Sequence, residues 1–349
     1  MNKLKRTKTV FPAIDVMKLV MAVLVVIMHK PLFLGDFRNY LLGSVVGDAA
    51  VPFFFAVSSF LFFRKLDRTD SSAVSVWIGY EKRLVQFYVL YTVLYLPCIF
   101  VKAYTGHYTE ITIGGIVGEL IALAGRFFLN TSFVHFWYLN TLILCIAILF
   151  GLTRLTKNKW VVLGAGAAVY AAVSLASALP QFAGVMQVLP PVLFNVMKKG
   201  LICTCIGFFA AQTDDDVPKW EKALCPVLWA ALLLCGILTY DSASPVWENV
   251  RLLGAFVCAW STLRVCIGSE LQPSPVYPIL RRYSTLIYFL HLLFMWEGWA
   301  FLCRRVGIRN PEVHPFLYFC VTLFLAVLES TIIILLQKKK RFHFLKYMY

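Results

Sequence analysis

Ten apolar runs of membrane-crossing length set the architecture of this chain before any single residue is weighed. They fall at 14 to 34, 46 to 64, 84 to 102, 136 to 153, 160 to 178, 193 to 211, 223 to 240, 249 to 267, 284 to 302 and 315 to 336. Each fits the window of about 17 to 25 residues that crosses a hydrocarbon core. The 349 residues are 60% hydrophobic and 15% charged, and a mean hydropathy of +0.75 lies outside the soluble globular range. The predicted fold class is therefore all-α, a polytopic membrane protein of about ten helices. One domain, 1–349, is expected, with the bundle spanning about 10 to 340 and short basic tails at both ends. No stretch outside the spans is long enough for a soluble catalytic domain.

Lys and Arg then orient the chain, because cytoplasmic loops accumulate them. With ten spans both termini share one side, and that side collects Lys3, Lys8, Arg64, Lys82, Arg83, Arg281, Arg282 and the Lys338 to Lys346 tail, among others. The opposite loops hold Arg38, Lys102, Arg126, Arg251, Arg304, Arg305 and Arg309. Both termini are thus expected in the cytoplasm, with the protein in the plasma membrane. The formal charge of +15 is read as topology plus attraction to anionic lipid head groups, not as nucleic-acid binding. The basic start resembles a signal peptide, but Lys18 and His29 interrupt its apolar region and no small-x-small cleavage site follows, so it is expected to stay. The ten cysteines are scattered without the paired spacing of a metal site, and none is expected. Within 103 to 135, the portion from 111 to 129 carries Glu119, Arg126 and several glycines, and reads as a re-entrant or surface-lying helix.

Against this background, Asp15, Lys18 and His29 stand out on the first apolar segment, since charge inside lipid tends to be functional. Lys18 and His29 are roughly three turns apart at about 100° per residue, sharing a face with about 16 Å between them. Asp15 is within pairing reach of Lys18, and Ala22 leaves room along the same stripe. In the ninth segment Ser284, Tyr288 and His291 form one polar stripe that must face the bundle interior. By depth, His291 is expected near mid-membrane and His29 in the outer half. Each imidazole is either a packed side chain or a general base, proton shuttle or acyl carrier.

A second constellation is basic: Lys82 and Arg83 at the third segment, Arg281 and Arg282 at the ninth, with Lys18 near them. It reflects either the cytoplasmic charge bias or a clamp for the phosphates of a nucleotide-bearing donor. His135-Phe136-Trp137-Tyr138 opens the fourth segment as an aromatic belt or as the wall of an acceptor pocket on which sugars stack. Lys198 and Lys199 lie some two turns into the sixth segment, where they either snorkel or meet a polar or anionic acceptor. Glu297 points away from His291 and is read as interfacial.

Taken in order, these residues resemble the acyltransferase type 3 family, integral-membrane enzymes of ten helices that O-acylate surface carbohydrates and related acceptors. The family's Asp-x-x-Arg start and Arg-x10-His motif correspond to Asp15-Val-Met-Lys18 and, ten residues on, His29. Its Phe-Phe-x-x-Ser-Gly motif corresponds to the run from Val51 to Leu61, in which Ser58 is followed by Ser59 rather than Gly. Further matches are Lys82-Arg83, Trp137-Tyr138-Leu139, Gly207-Phe208-Phe209 and the stretch from Ser284 to His291. Lys18 stands where the family has Arg, and Gln86 where it has the second of a basic pair.

The resemblance implies an acyl-CoA co-substrate, most often acetyl-CoA, delivered from the cytosol, with no permanently bound cofactor. Lys82, Arg83, Arg281 and Arg282 would hold its phosphates, and the pantetheine arm would run by Lys18 toward His29. His29, with Asp15 and Lys18, is the expected catalytic set: it would deprotonate the acceptor hydroxyl or carry the acyl group briefly. Ser58, Trp137, Tyr138, Lys199, Ser284, Tyr288 and His291 are the expected acceptor or support residues. The acceptor would be a surface or exported polysaccharide, peptidoglycan, teichoic acid or a lipid-linked sugar. A transporter or flippase of a glycan or lipid-linked intermediate is the alternative, since intramembrane ionisable residues also mark transport paths. The helix-one motif has no counterpart in the second half, however, as the internal repeats of transporters would supply.

Overall fold

The structure, a computed structural model, describes residues 8–30, 32–97, 113–242, 244–293 and 314–349. His107, Lys102, Glu297, Arg304, Arg305 and Arg309 lie outside the described residues, as do the ends of the third and ninth expected segments.

Among the described residues eleven helices carry the bundle: α1 (Pro12–His29), α2 (Asp36–Leu66), α3 (Ala73–Tyr95), α4 (Ile113–Leu129), α5 (Trp137–Leu155), α6 (Lys159–Ala178), α7 (Pro191–Ala211), α8 (Lys219–Leu238), α9 (Pro245–Ile267), α10 (Val276–Leu290) and α11 (Pro315–Leu336). Among the described residues there is no strand, and eight helices are long and apolar enough to cross a membrane: α1, α2, α5 to α9 and α11. They coincide with eight of the ten expected segments. The third expected segment is represented by α3, whose first half carries Glu81, Lys82 and Arg83, and the ninth by α10, described for 15 residues. The chain is thus an all-α polytopic membrane protein. Of the 111 to 129 portion, the described part is helical, as α4.

Two boundaries depart from the sequence expectation, and both have a local cause. The first segment was expected to reach residue 34, yet α1 ends at His29. Lys30 is extended at φ −133°, ψ 111°, the backbone that a following proline enforces through its ring, and Pro31 is that proline. His29 therefore sits in a last helical turn rather than mid-segment. The second segment begins ten residues early, at Asp36, because α2 enters through a π-helical stretch, Tyr40–Val46, and a 3₁₀ turn, Gly47–Ala49, before its regular part from Ala50. A second π-helical turn, Val196–Gly200, interrupts α7.

α2 and α7 form the central contact, and small residues permit it. Gly207 faces α2 so closely that a Cβ there would overlap the Ala56 carbonyl oxygen and stand 2.7 Å from the Ser59 Cβ. The Ser59 hydroxyl donates to the Thr204 carbonyl at 2.7 Å across the same seam. Close approach with an interhelical hydrogen bond is how helices associate where lipid removes the hydrophobic incentive. Phe53, Phe55, Phe60, Phe62 and Phe63 of α2 are all fully buried around this seam.

At the end of the bundle where α1 begins, charges are paired rather than left loose. Arg64 and Asp215, both nearly inaccessible, meet at 2.8 Å, and the Lys8 backbone N–H also donates to Asp215. Arg264 holds Glu221 at 2.7 Å. α1 and α10 pack along each other, and Arg281 joins them by a two-pronged bridge to Asp15, its Nε and Nη2 donating at 2.8 and 2.9 Å. Asp15 stays close enough to Lys18 to act on it electrostatically, but its hydrogen-bonded partner comes from another helix, where the guanidinium fork engages both oxygens.

Two stability predictions follow from this packing. Gly207→Ala should lower the thermal unfolding midpoint of the detergent-purified protein through an overpacking loss of about 1–3 kcal/mol, whereas Gly151→Ala, with no atom within 4 Å of the new Cβ, should leave it unchanged. At the α1–α10 bridge the Asp15 side chain is 7% exposed and that of Arg281 52%. Removing the arginine strands a buried charge, while removing the acid leaves a cation that water can reach. Arg281→Met should therefore destabilise more than Asp15→Asn in the same unfolding assay, and the double variant should recover part of the Arg281→Met loss.

Candidate active site

At the far end of α1 lies a cavity of about 740 Å³, walled by residues of α1, α2, α3, α4, α5, α7 and α10 and by the turn between α4 and α5. Its polar lining includes His29, His135, Tyr288, Asn195, Lys199, Asn130 and Ser132, with Glu119 and Arg126 on α4. Arg126 and Glu119 pair at 3.5 Å.

Two imidazoles, His29 and His135, line this cavity, and a third, His291, is buried against both. The His29 and His291 rings are 5.3 Å apart, and those of His135 and His291 6.0 Å. The sequence expectation set His29 and His291 at different depths. They lie side by side because α1 and α10 pack along each other and each histidine stands at the same end of its helix, His29 in the last turn of α1 and His291 just after α10. His291 is 1% exposed, and its Nδ1 lies 3.1 Å from the Ile287 and 2.8 Å from the Tyr288 carbonyl oxygen. Carbonyls only accept, so Nδ1 carries the hydrogen and Nε2 keeps a lone pair. That Nε2 is buried without a hydrogen-bond partner among the described residues. His29 is partly exposed, to the cavity. A reachable imidazole beside a buried one of fixed tautomer suits proton transfer to and from a bound hydroxyl.

His135 is the site residue that the sequence left among belt aromatics. A polar network folds its turn inward: the Tyr88 hydroxyl donates to the Phe127 carbonyl and accepts from the Ser132 N–H and from Asn140, while Thr92 bonds Ser132 at 2.7 Å. His135, buried as a result, sets its Nε2 3.2 Å from the Phe289 carbonyl, which also accepts from the Tyr95 hydroxyl. The sequence signal was the Asn130-Thr-Ser132 cluster before the aromatic run, since an exposed interfacial turn has no need of so many fixed partners.

The other expected acceptor residues divide. Trp137, Lys199 and Tyr288 line the cavity, and the Lys199 ammonium lies 5.9 Å from the Trp137 ring centre. The neighbouring Lys198, on the same π-helical turn of α7, points elsewhere, to Ser174 and Asn249. Tyr138 instead bonds the Ser58 hydroxyl at 2.9 Å, so this pair supports the wall from behind. Ser284 is fully buried and donates to the Arg281 carbonyl of its own helix, away from the cavity.

At the opposite end Lys18 lies in the electrostatic field of Asp15, Arg281 and Arg83, so the expected basic cluster is assembled from α1, α3 and α10. Arg282 joins it through the C-terminal segment, whose Tyr349 ring it covers. Lys82, next to Arg83 in sequence, is exposed. The room expected by Ala22 between Lys18 and His29 is packed: Met21, Ala22, Val25 and Val26 are all buried, and Phe54 and Tyr138 close against Tyr288 at ring distances of 5.2 and 5.5 Å. No group of three or more His, Cys, Asp or Glu able to hold a metal ion occurs among the described residues.

Searches of curated proteins and of solved structures return no match. The family model described as an acyltransferase domain matches residues 11–335, nearly the whole chain, from the start of α1 to the end of α11. Both ends of the assembled site, with the helices that carry them, fall within that match. The chain belongs to the acyltransferase type 3 family and is a multi-pass membrane acyltransferase.

Proposed function

We propose that this acyltransferase moves an acyl group, acetyl in the simplest case, from cytosolic acyl-CoA to a hydroxyl of a surface or exported carbohydrate or a lipid-linked sugar. In this reading the protein sits in the cell membrane with both termini in the cytoplasm. The single observation that carries it is the separation of two chemically distinct ends on one pair of helices. Arg281, Lys18 and Arg83 gather where α1 begins, and where it stops His29 faces the cavity with His291 buried against it.

The basic end suits phosphates, which guanidinium groups bind with short charge-assisted bonds. The cavity end suits a sugar: Trp137 offers a flat face, and Lys199, Asn195 and Asn130 offer polar contacts. The acyl arm follows α1 from one end to the other, parting the packed stretch from Met21 to Val26. His29 takes the proton of the acceptor hydroxyl as its oxygen attacks the thioester carbonyl. The carbon–sulfur bond then breaks, and His29 returns the proton to the departing thiolate. Tyr288 and His291 stand beside the reacting atoms, where a hydroxyl donor steadies the developing oxyanion. Asp15 contributes by fixing Arg281, and so the register of the two helices.

His29→Ala membranes should lose transfer of labelled acetyl from acetyl-CoA by about 10²-fold or more, the range that a general base supplies; transfer at the wild-type rate would remove His29 from this role. Purified protein given acetyl-CoA should release coenzyme A faster when candidate acceptors are added. A transporter or flippase would release none. Trp137→Ala should raise the KM for acceptor by more than it raises the KM for acetyl-CoA, measured under the same conditions.

A further inference from the structure

The C-terminal segment lies across the basic end of the site in a way that mimics a ligand. Its last turns, Lys340–Met348, are 3₁₀. The Met348 side chain is 2% exposed, and its carbonyl accepts from the buried Tyr91 hydroxyl of α3 at 2.7 Å. One residue on, Arg83 Nη2 of α3 donates to the main-chain oxygen of Tyr349 at 2.9 Å. Arg282 of α10 covers the Tyr349 ring, its guanidinium carbon 5.2 Å from the ring centre, and Tyr91 stacks on Phe289 of α10 beneath. An aromatic ring under one guanidinium and an oxygen on another is the pattern in which an adenine base and a phosphate are held.

We propose that residues 342–349 form a strap occupying the subsite for the adenine nucleotide end of the donor, so that donor binding and strap release are one exchange. The inference rests on the acyl-CoA reading above and adds to it a base-stacking position at Arg282, a phosphate position at Arg83 and a competitor built into the chain. The strap carries the wrong charge for this subsite. Its sequence from Lys340 to Tyr349 contains Lys340, Arg341 and Lys346 and no acidic residue, so it brings like charge toward Arg83, Arg281 and Arg282. What holds it is two main-chain oxygens, one ring and the Met348 side chain, with Arg83 donating to only one of those oxygens. A nucleotide offers several phosphate oxygens, enough to engage more than one of these guanidinium groups at once with charge-assisted bonds. The packed stretch beside α1 fits the same state, with the donor end closed.

The experiment uses full-length protein in lipid nanodiscs and coenzyme A itself as the probe, with no acceptor and no turnover. Tyr349→Ala should bind coenzyme A about threefold or more tighter than wild type, because a competing closed state lowers apparent affinity by the fraction of protein it occupies. In Met348→Cys, maleimide labelling at residue 348 should be slow and should accelerate on adding coenzyme A but not on adding pantetheine, which lacks the nucleotide. Equal coenzyme A affinity in the two proteins with unchanged labelling would overturn the strap and leave the donor reading standing. Weaker binding by Tyr349→Ala would also overturn it, making the segment a wall of the site. No coenzyme A binding by either protein would overturn the donor reading and the strap with it.

Discussion

The bridge between Asp15 and Arg281 is the interaction on which the arrangement of the site depends. A carboxylate buried near the start of a membrane helix needs a partner, and the fork of Arg281 satisfies both of its oxygens. The bridge fixes α1 against α10 at one end. From there each helix leads to an imidazole at the other end, and the two rings arrive 5.3 Å apart. A slip of either helix by a single residue would turn its histidine by about 100°. The pair thus does for register what a salt bridge at a coiled-coil interface does, and its lopsided exposure makes the acid the member that cannot be left alone.

The fold was legible because apolar length is a direct physical readout of bilayer thickness, and eight of the ten expected segments reappear as membrane-length helices. Local rules would have sharpened the first of them: Pro31 forbids helix at Lys30, which moves His29 from mid-segment to a helix end. The π-helical turns at Tyr40–Val46 and Val196–Gly200 had no comparable signal, and which of Lys198 and Lys199 would face the cavity was equally hidden.

Long-range partners were the other loss. Helical spacing offers Asp15 only its neighbour Lys18, since a sequence lists contacts along one helix and not across two. His135 was hidden for a similar reason: its burial comes from Tyr88 and Thr92 of α3 gripping the turn before α5. By contrast, Gly207 and Ser59 were visible as motif positions, and the structure gives their cause, a helix approach too close for a side chain. Of the expected acceptor set, Trp137, Lys199, Tyr288 and His291 converge, while Ser58, Tyr138 and Ser284 serve as supports. Position on a stripe told that a residue faces inward, but not whether a neighbour or a cavity awaits it there.

A site with its cations at one end of a helix pair and its imidazoles at the other makes a claim about direction. Sealed vesicles test it most directly, with labelled acetyl-CoA supplied on only one side and acceptor glycan only on the other. The account predicts ester formation when acetyl-CoA is on the side bearing the chain termini and the acceptor is opposite, and none when the two are exchanged. Ester formation only with donor and acceptor on the same side would contradict it.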